Sequence, residues 1–340
     1  MKTILSLLLL CLISVSCVTT TAPSAKKMPE WMLFPEKFYA PDQYLFSRGS
    51  GINSRTAKKK ASENLTLIYN IQMQEARRIV GATYEAFGLP AGFRPTYTPG
   101  AAAKTDTPPA LSIRTGELFT DSAKNTHTIA YADRAGAAKP FITEIKTAAA
   151  KIQSLAARAD RERDPFTRYA LARAATLTAL QNELPITRAA LLHPASLQGF
   201  DPGYTLTNLF ARAAAASAAA TVKVNIAGDT SGFIAGAVNN ALLDAGLTPA
   251  ATGVLNLRGN FTTKFTQTSD GRNVDISYTL SLSLTGGDGR VIAEFRETKS
   301  DRHPLAEAEA RTAQFVSTSI RQNFGGKITA ALNRAAGVAD

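Results

Sequence analysis

Alternation of apolar and polar residues is most regular in the last third of the chain. From Val274 to Leu284 every second residue is large and apolar, which predicts a strand with one buried face. An Asp-Gly turn at 269–272 and glycines at 286–289 predict two hairpins around this strand. Three more segments have strand patterns: Thr221–Ala227, Val254–Phe265 and Val291–Glu297.

Helical periodicity governs most of the remaining chain. In the first predicted helix, apolar residues recur at steps of three to five and indicate one buried face. These residues are Ala57, Ala61, Leu65, Ile68, Met73 (or Gln72), Ala76 and Ile79. Pro165 favours a helix start, and Pro185 should end or kink that helix. The predicted helices are Arg55–Val80, Arg134–Ser154, Pro165–Glu183, about 204–218, a helix capped by Asp229–Ser231 and ending at Leu243, and Pro304–Phe324.

The N-terminal part combines short strands with the first helix. Glycines at 49–51 predict a tight turn, after which Asn53 or Ser54 can cap the helix. Repeated proline and glycine at 84–109 predict an irregular excursion. The predicted strands are Gln43–Arg48, Leu111–Phe119 and Thr126–Ala132.

The order of elements predicts an α+β fold. It is βαββα in the N-terminal part and βαβββα in the last third, which favours two small, mainly antiparallel sheet modules with helices packed on one face. A helical hairpin joins them, and whether they are copies of one unit stays open. The predicted organisation is a signal peptide (1–16), a lipid anchor and flexible tether (17–30), an N-terminal α+β domain (31–155), a helical connector (156–218) and a C-terminal α+β domain (219–340).

The first residues have the layout of a secretory signal peptide. Lys2 precedes an apolar run from Ile4 to Val15, and small Ser14 and Ser16 lead to Cys17. A run of twelve residues is shorter than the ~20 that a membrane-spanning helix needs. A cysteine at the cleavage point indicates a bacterial lipoprotein acylated, for example by palmitate, at Cys17. The alternative is an ordinary signal peptide that is cut nearby.

Cysteine content and charge agree with an exported protein. The chain has two cysteines, and Cys11 would leave with the signal, so no disulfide is expected. Val18 follows Cys17, and because Asp there specifies inner-membrane retention, the outer membrane is the expected location. The formal net charge of +11 suits anionic surfaces, while export argues against nucleic acid. Lys58, Lys59 and Lys60 should face water.

Several N-terminal motifs carry a family resemblance. They are Trp31 followed by Pro35, then Tyr44–Gly51 (YLFSRGSG), then alanines four apart at 57 and 61, and later Tyr131–Arg134. In this arrangement the chain resembles the Lpp-twenty family of bacterial outer-membrane lipoproteins, and a related domain at the N-terminus of flagellar T-ring proteins. The resemblance implies an envelope lipoprotein with a small α+β domain and supplies no catalytic residues.

Motifs for catalysis, metal binding and cofactor binding are missing from the sequence. His127, His193 and His303 are isolated and do not have metal-ligand spacing. We therefore expect no catalytic residues, no metal and no cofactor. Trp31, Phe34, Phe38 and Tyr39 form an aromatic cluster that either packs on the first helix, the favoured interpretation, or lies at a membrane interface.

These observations favour a non-enzymatic envelope lipoprotein. Acyl chains on Cys17 would hold it on the membrane, and it would act by contact with an unknown envelope protein in a structural or assembly role. One alternative is a regulator of a cell-wall synthase, and another is a carrier of a lipid or glycan ligand. Exposed sheet surfaces also leave homo-oligomerisation open.

Overall fold

The computed structural model describes residues 27–86, 111–269 and 272–338, and confirms an α+β fold. The strands are β1 (Tyr44–Gly51), β2 (Arg114–Thr120), β3 (Thr126–Asp133), β4 (Thr221–Ala227), β5 (Thr248–Pro249), β6 (Leu255–Gln267), β7 (Asn273–Thr285) and β8 (Val291–Pro304). The helices are α1 (Glu30–Leu33), α2 (Ser54–Ala86), α3 (Arg134–Arg161), α4 (Pro165–Leu192), α5 (Leu206–Ala219), α6 (Phe233–Asp244), α7 (Ala308–Ser319) and α8 (Gly325–Ala336). Short 3₁₀ turns lie at Pro35–Lys37 and Pro194–Leu197.

Several predictions fall outside the described residues. They are the signal peptide, Cys17, most of the tether, residues 87–110 of the predicted excursion, and Asp270 and Gly271 of the predicted turn at 269–272. The first residues of the excursion, Tyr84–Ala86, belong to α2. The chain divides into a smaller unit (residues up to Leu65, with Ile113–Tyr131) and a larger unit (Thr66–Ser112 with Ala132–Asp340). The five predicted segments stay a prediction.

The smaller unit is built on a sheet with the order β1-β3-β2. The turn predicted at 49–51 is wrong, because β1 continues to Gly51. At Gly49 the strand lies so close to α2 that a Cβ atom there would meet the backbone of Ala57 and Ala61. Glycine is therefore needed for the close contact between strand and helix, rather than for a reversal of the chain.

Helix α2 begins as predicted and buries a slightly different face. The side chain of Asn53 accepts a hydrogen bond from the amide of Thr56 (2.9 Å), which is an N-cap contact. Ala57, Ala61, Leu65, Met73 and Ala76 are buried as expected. Tyr69 and Val80 are buried in place of Ile68 and Ile79, so the apolar face is shifted by one position along part of the helix.

Helices α3 and α4 form the predicted antiparallel hairpin. Asp133 and Asp164 cap them by accepting hydrogen bonds from the amides of Gly136 and Thr167. The prediction that Pro185 ends or kinks α4 near Glu183 gave the wrong end, since the helix continues through this buried proline to Leu192. In α3 the buried face includes Ala149, whereas its neighbour Ala148 is only partly buried.

The larger unit contains a sheet with the order β5-β4-β6-β7-β8. Strand β4 is parallel to β5 and β6, while β6, β7 and β8 form the two predicted antiparallel hairpins. In β7 burial alternates at every residue, as the sequence pattern predicts. Tyr278, Leu280, Leu282 and Leu284 share one core with helices α3 to α8, so the helices cover one face of the sheet. Val274 and Ile276 pack in a separate small cluster with Ala308 of α7.

The C-terminal elements differ from the prediction. Strand β8 reaches Pro304, and the helix expected from that residue begins at Ala308. Leu305, which precedes α7, is 53% exposed, and on α7 Thr312 is buried while Phe315 is 39% exposed. A π turn follows α7, and α8, which was not predicted, buries residues of its own against the sheet: Ile328, Ala331, Leu332 and Ala336.

The close contact at Gly49 yields a testable prediction. Gly49→Ala should lower the free energy of unfolding of the smaller unit by about 2–3 kcal/mol, because backbone atoms must move to admit the methyl group. Gly81→Ala is the matched control: nothing lies within 4 Å of its Cβ position. In a helix that change should be neutral or stabilising by up to ~1 kcal/mol. Equal effects in chemical denaturation would contradict the packing role of Gly49.

A buried tyrosine gives a second prediction. The Tyr169 hydroxyl donates a hydrogen bond of 2.9 Å to the carbonyl of Ala245, and burial raises the pKa of Tyr169 to about 12. Tyr169→Phe leaves that carbonyl without its donor and should cost about 1–2 kcal/mol of unfolding free energy. Thermal unfolding of both proteins measures this cost, and an unchanged midpoint would refute it.

Candidate functional site

The predicted lipidation residue, Cys17, lies before the first described residue, Lys27. Acylation of Cys17 therefore stays a prediction from sequence. Among the described helices, none combines the length and apolar character needed to cross a bilayer. The described residues offer two polar surfaces as candidate sites, one in each unit.

The first candidate is a cavity of about 330 Å³ in the smaller unit, termed the cationic cavity here. Arg48 and Lys60 supply its positive charge, and no carboxylate is among its described lining residues. Both of these side chains are exposed to solvent. The full lining is Trp31, Met32, Arg48, Gly49, Ser50, Lys60, Asn64, His127 and Thr128.

Strand β1, strand β3 and helix α2 position this lining. Asn64, one turn after Lys60 on α2, donates a hydrogen bond of 3.1 Å to the carbonyl of Arg48. On β3, the hydroxyl of Thr128 donates to the carbonyl of Glu117 (2.9 Å), a residue of the paired strand β2. These hydrogen bonds hold the walls of the cavity in place, while the side chains of Arg48 and Lys60 are exposed to solvent.

His127 is held by a carboxylate outside the lining. Its Nε2 lies 2.9 Å from Oδ2 of Asp121, whose Oδ1 accepts a hydrogen bond from the amide of Asn125 (2.8 Å). The hydrogen bond to His127, followed by that to Asn125, lowers the pKa of Asp121. This contact fixes the orientation of the imidazole at the wall of the cavity.

The predicted aromatic cluster separates into buried and exposed members. Trp31 is buried and Tyr39 partly buried, the latter with its ring centroid 4.7 Å from that of Tyr131. Phe34 and Phe38, in contrast, are 45% and 51% exposed. The favoured interpretation of the whole cluster as core is therefore wrong for these two rings.

The second candidate is the outer sheet face, the side of β6, β7 and β8 that points away from the helical core. Alternation along antiparallel strands in fixed register places polar side chains in ranks of three. Five ranks follow one another: Arg258–Ser283–Glu294, Asn260–Ser281–Arg296, Thr262–Thr279–Thr298, Lys264–Ser277–Ser300 and Thr266–Asp275–Arg302.

Hydrogen bonds and an ion pair hold several side chains of the outer sheet face in place. The hydroxyls of Thr279 and Thr298 are 3.2 Å apart, and Arg302 donates to Asp275 (2.6 Å), which lowers the pKa of that carboxyl. The first two ranks line a depression of about 630 Å³, to which Gly259, Leu282, Phe295 and Lys327 also contribute. The surface offers donors, acceptors and cations, without an aromatic ring among its rank positions.

The remaining histidines serve local structure. His193 ends α4 and its Nδ1 lies 2.6 Å from the hydroxyl of Ser196. His303, predicted at a helix start, is instead buried near the end of β8, stacked on the ring of Phe315. Within the described ranges, no three His, Cys, Asp or Glu side chains are grouped closely enough to hold a metal ion.

Other groups with shifted pKa values belong to core packing. Burial lowers the pKa of Arg173 and raises that of Glu183, both on α4. Burial, followed by the hydrogen bond to Glu297, raises the pKa of Tyr278. These residues lie on α4 and β7 of the larger unit and line neither candidate site.

Comparisons with known proteins identify no family. No family model matches the chain, and no curated protein sequence does either. Among solved structures, a minor lipoprotein from Acinetobacter baumannii is 12% identical, with a TM-score of 0.25, over 34% of this chain and 93% of its own. A secreted protein from Helicobacter pylori is 11% identical, with a TM-score of 0.37, over 86% of this chain and 97% of its own. TM-scores this low do not transfer a fold or a function.

The carboxylate of Asp121, which contacts His127 beside the cationic cavity, gives a prediction about how stability depends on pH. A lowered pKa means that Asp121 stabilises the fold above its unfolded pKa of about 4, and that this contribution is lost as pH falls through the lower folded value. Asp121→Asn should therefore lower the melting temperature at neutral pH and have little effect in strong acid. Melting curves of both proteins across this range test it; a deficit that grows on acidification would contradict it.

Proposed function

We propose that this protein is a bacterial cell-envelope lipoprotein, anchored through Cys17, that acts without catalysis by contact with another envelope protein. The outer sheet face is the observation that carries the proposal. One side of the five-stranded sheet packs on helices, while the other side presents ranked polar side chains to solvent. The sequence of the first seventeen residues motivates the anchor, and the Lpp-twenty resemblance agrees with it.

The size of the outer sheet face suits a specific but modest contact. Three strands of about thirteen residues cover roughly 43 Å by 14 Å, or about 600 Å². A standard interface buries about 800 Å² on each partner. The face therefore offers about three quarters of one partner's share of such an interface, and neighbouring surface of the same unit would supply the remainder.

The chemistry of this face favours a partner with acidic and amide groups. Arg258, Arg296 and Lys264 supply cations, and Ser281 and Thr279 supply hydroxyls between them. Cations at such a surface speed and orient encounter with an acidic partner more than they add affinity. A cell-wall synthase would be one such partner, and the alternative of regulation then describes the same contact.

The location follows from the anchor. Because Val18, rather than Asp, follows Cys17, we propose the outer membrane as the site. Intact mass of the native protein should fit a chain that starts at Cys17 and carries acyl groups, whereas Cys17→Ala should abolish the acyl mass and membrane retention. An unmodified chain that starts elsewhere would refute the anchor.

Site-specific cross-linking in living cells tests the contact. A photo-reactive residue placed at Thr262 or at Thr298, two exposed members of one rank, should capture the same envelope protein. The matched control is Lys151, an exposed residue of α3 in the same unit. Capture from both Thr positions and not from Lys151 is expected.

Other outcomes of this experiment would overturn the proposed contact. Capture of a second copy alone would replace the envelope partner by self-association. Equal capture from Lys151 would show that the outer sheet face is not selective. If no protein is captured and native mass spectrometry shows a bound lipid or glycan, the carrier alternative takes its place.

A further inference from the structure

A segment of the smaller unit combines exposed apolar side chains with a lysine beside an aromatic ring. Four large apolar residues between positions 28 and 38 are 45–52% exposed: Met28, Leu33, Phe34 and Phe38. Lys37 places its Nζ 4.6 Å from the centroid of the Phe34 ring and donates a hydrogen bond of 2.9 Å to Glu30. Aromatic rings beside lysines are typical of surfaces that enter the polar boundary of a bilayer.

The same segment borders the cationic cavity. Trp31 and Met32 line the cavity directly, and the exposed residues Leu33 and Phe34 follow them in the chain. Arg48 and Lys60 supply the charge of the cavity; on the adjoining turn of α2 Lys58 is exposed, and Lys59 is exposed and pairs with Glu63 (3.7 Å). Apolar contact and anion recognition are thus available within one part of the smaller unit.

We propose that this part of the smaller unit binds an anionic phospholipid surface, with Phe34 and Phe38 in the interface and a headgroup phosphate at Arg48 and Lys60. The phosphate would lie in the cationic cavity, whose described lining offers cations, an amide and hydroxyls and no carboxylate. Guanidinium and ammonium groups are the usual partners of phosphate.

Chain length favours the membrane as the occupant of this surface. Lys27 is ten residues from Cys17, so an acylated chain could place it at most about 35 Å from the lipid. This argument rests on the proposed anchor. The surface itself does not, because its residues and charges are part of the folded unit.

Vesicle binding by an unacylated chain separates the two proposals. A chain beginning at Val18 should bind vesicles of phosphatidylcholine with phosphatidylglycerol more strongly than vesicles of phosphatidylcholine alone. Arg48→Gln with Lys60→Gln should weaken that binding about 10- to 30-fold. The control pair, Lys146→Gln with Lys151→Gln, removes the same charge from exposed positions of α3 and should have little effect.

The contribution of Phe34 and Phe38 to vesicle binding is tested with a second variant and its matched control. Phe34→Ser with Phe38→Ser should weaken binding to both vesicle types by about tenfold. The control, Leu243→Ser with Val291→Ser, changes two residues of the larger unit that are 56% and 51% exposed. It should leave vesicle binding unchanged. Circular dichroism confirms that each variant is folded.

The only tryptophan of the chain reports the position of the cavity. Trp31 lines the cavity, so lipids brominated near the headgroup should quench its fluorescence when the chain is bound. Equal binding to both vesicle types, equal loss in the control pairs or absence of quenching would overturn the proposal. So would a Trp31 response to inorganic phosphate without vesicle binding, which would identify a free-phosphate site.

Failure of the anchor and failure of this surface give different results. If native protein lacks acyl groups but the chain from Val18 still binds anionic vesicles, the lipoprotein proposal fails and the surface stands. If the native protein is acylated and the vesicles are not bound, the anchor stands and the surface fails.

Discussion

Helix α4 is stable only when other elements of the protein enclose it, and the larger unit depends on that constraint. Buried residues lie on all of its sides, so it has no face suited to water. Helices α3, α5 and α8 and the sheet contribute to the core that encloses it. Removing any of these neighbours would expose apolar surface that no rotation of α4 could hide.

The polar residues of α4 show how complete this enclosure is. Arg188 is buried with its guanidinium 5.6 Å from the ring centroid of Phe141, and Arg173 lies within 3.4 Å of the side-chain oxygen of Asn333. Asn182 donates to the hydroxyl of Tyr204. Buried polar groups are costly without such partners, so these contacts also fix how α4 is rotated about its axis.

Local patterns predict much of the fold, and tertiary contacts explain the rest. The alternation in β7 and the Asn53 cap of α2 are local signals, and the structure confirms both. The helix after Gly325-Gly326 was missed because two glycines are poor helix formers, at about 1 kcal/mol each relative to alanine. Burial of Ile328 and Leu332 against the core outweighs that preference. Likewise, no local pattern reveals that Gly49 touches a helix.

The sequence predicts the candidate sites less well than the helices and strands that carry them. The members of the first rank, Arg258, Ser283 and Glu294, are brought together only by strand register. Arg48, Lys60 and His127 have no motif spacing and share a cavity through tertiary structure. The exposed rings at Phe34 and Phe38 were visible in the sequence, but their exposure depends on the packing of Trp31 and Tyr39.

Strict alternation in β7 limits how this part of the gene can change in length. Its leucines point to the core and its hydroxyls to the opposite face, so losing one residue would exchange the two sets along the strand beyond that point. Deletions in β6, β7 or β8 should thus be tolerated in pairs, whereas the hairpin at Gly286–Gly289 can absorb single insertions. Homologous chains would then differ in hairpin length while the spacing within the strands stays even.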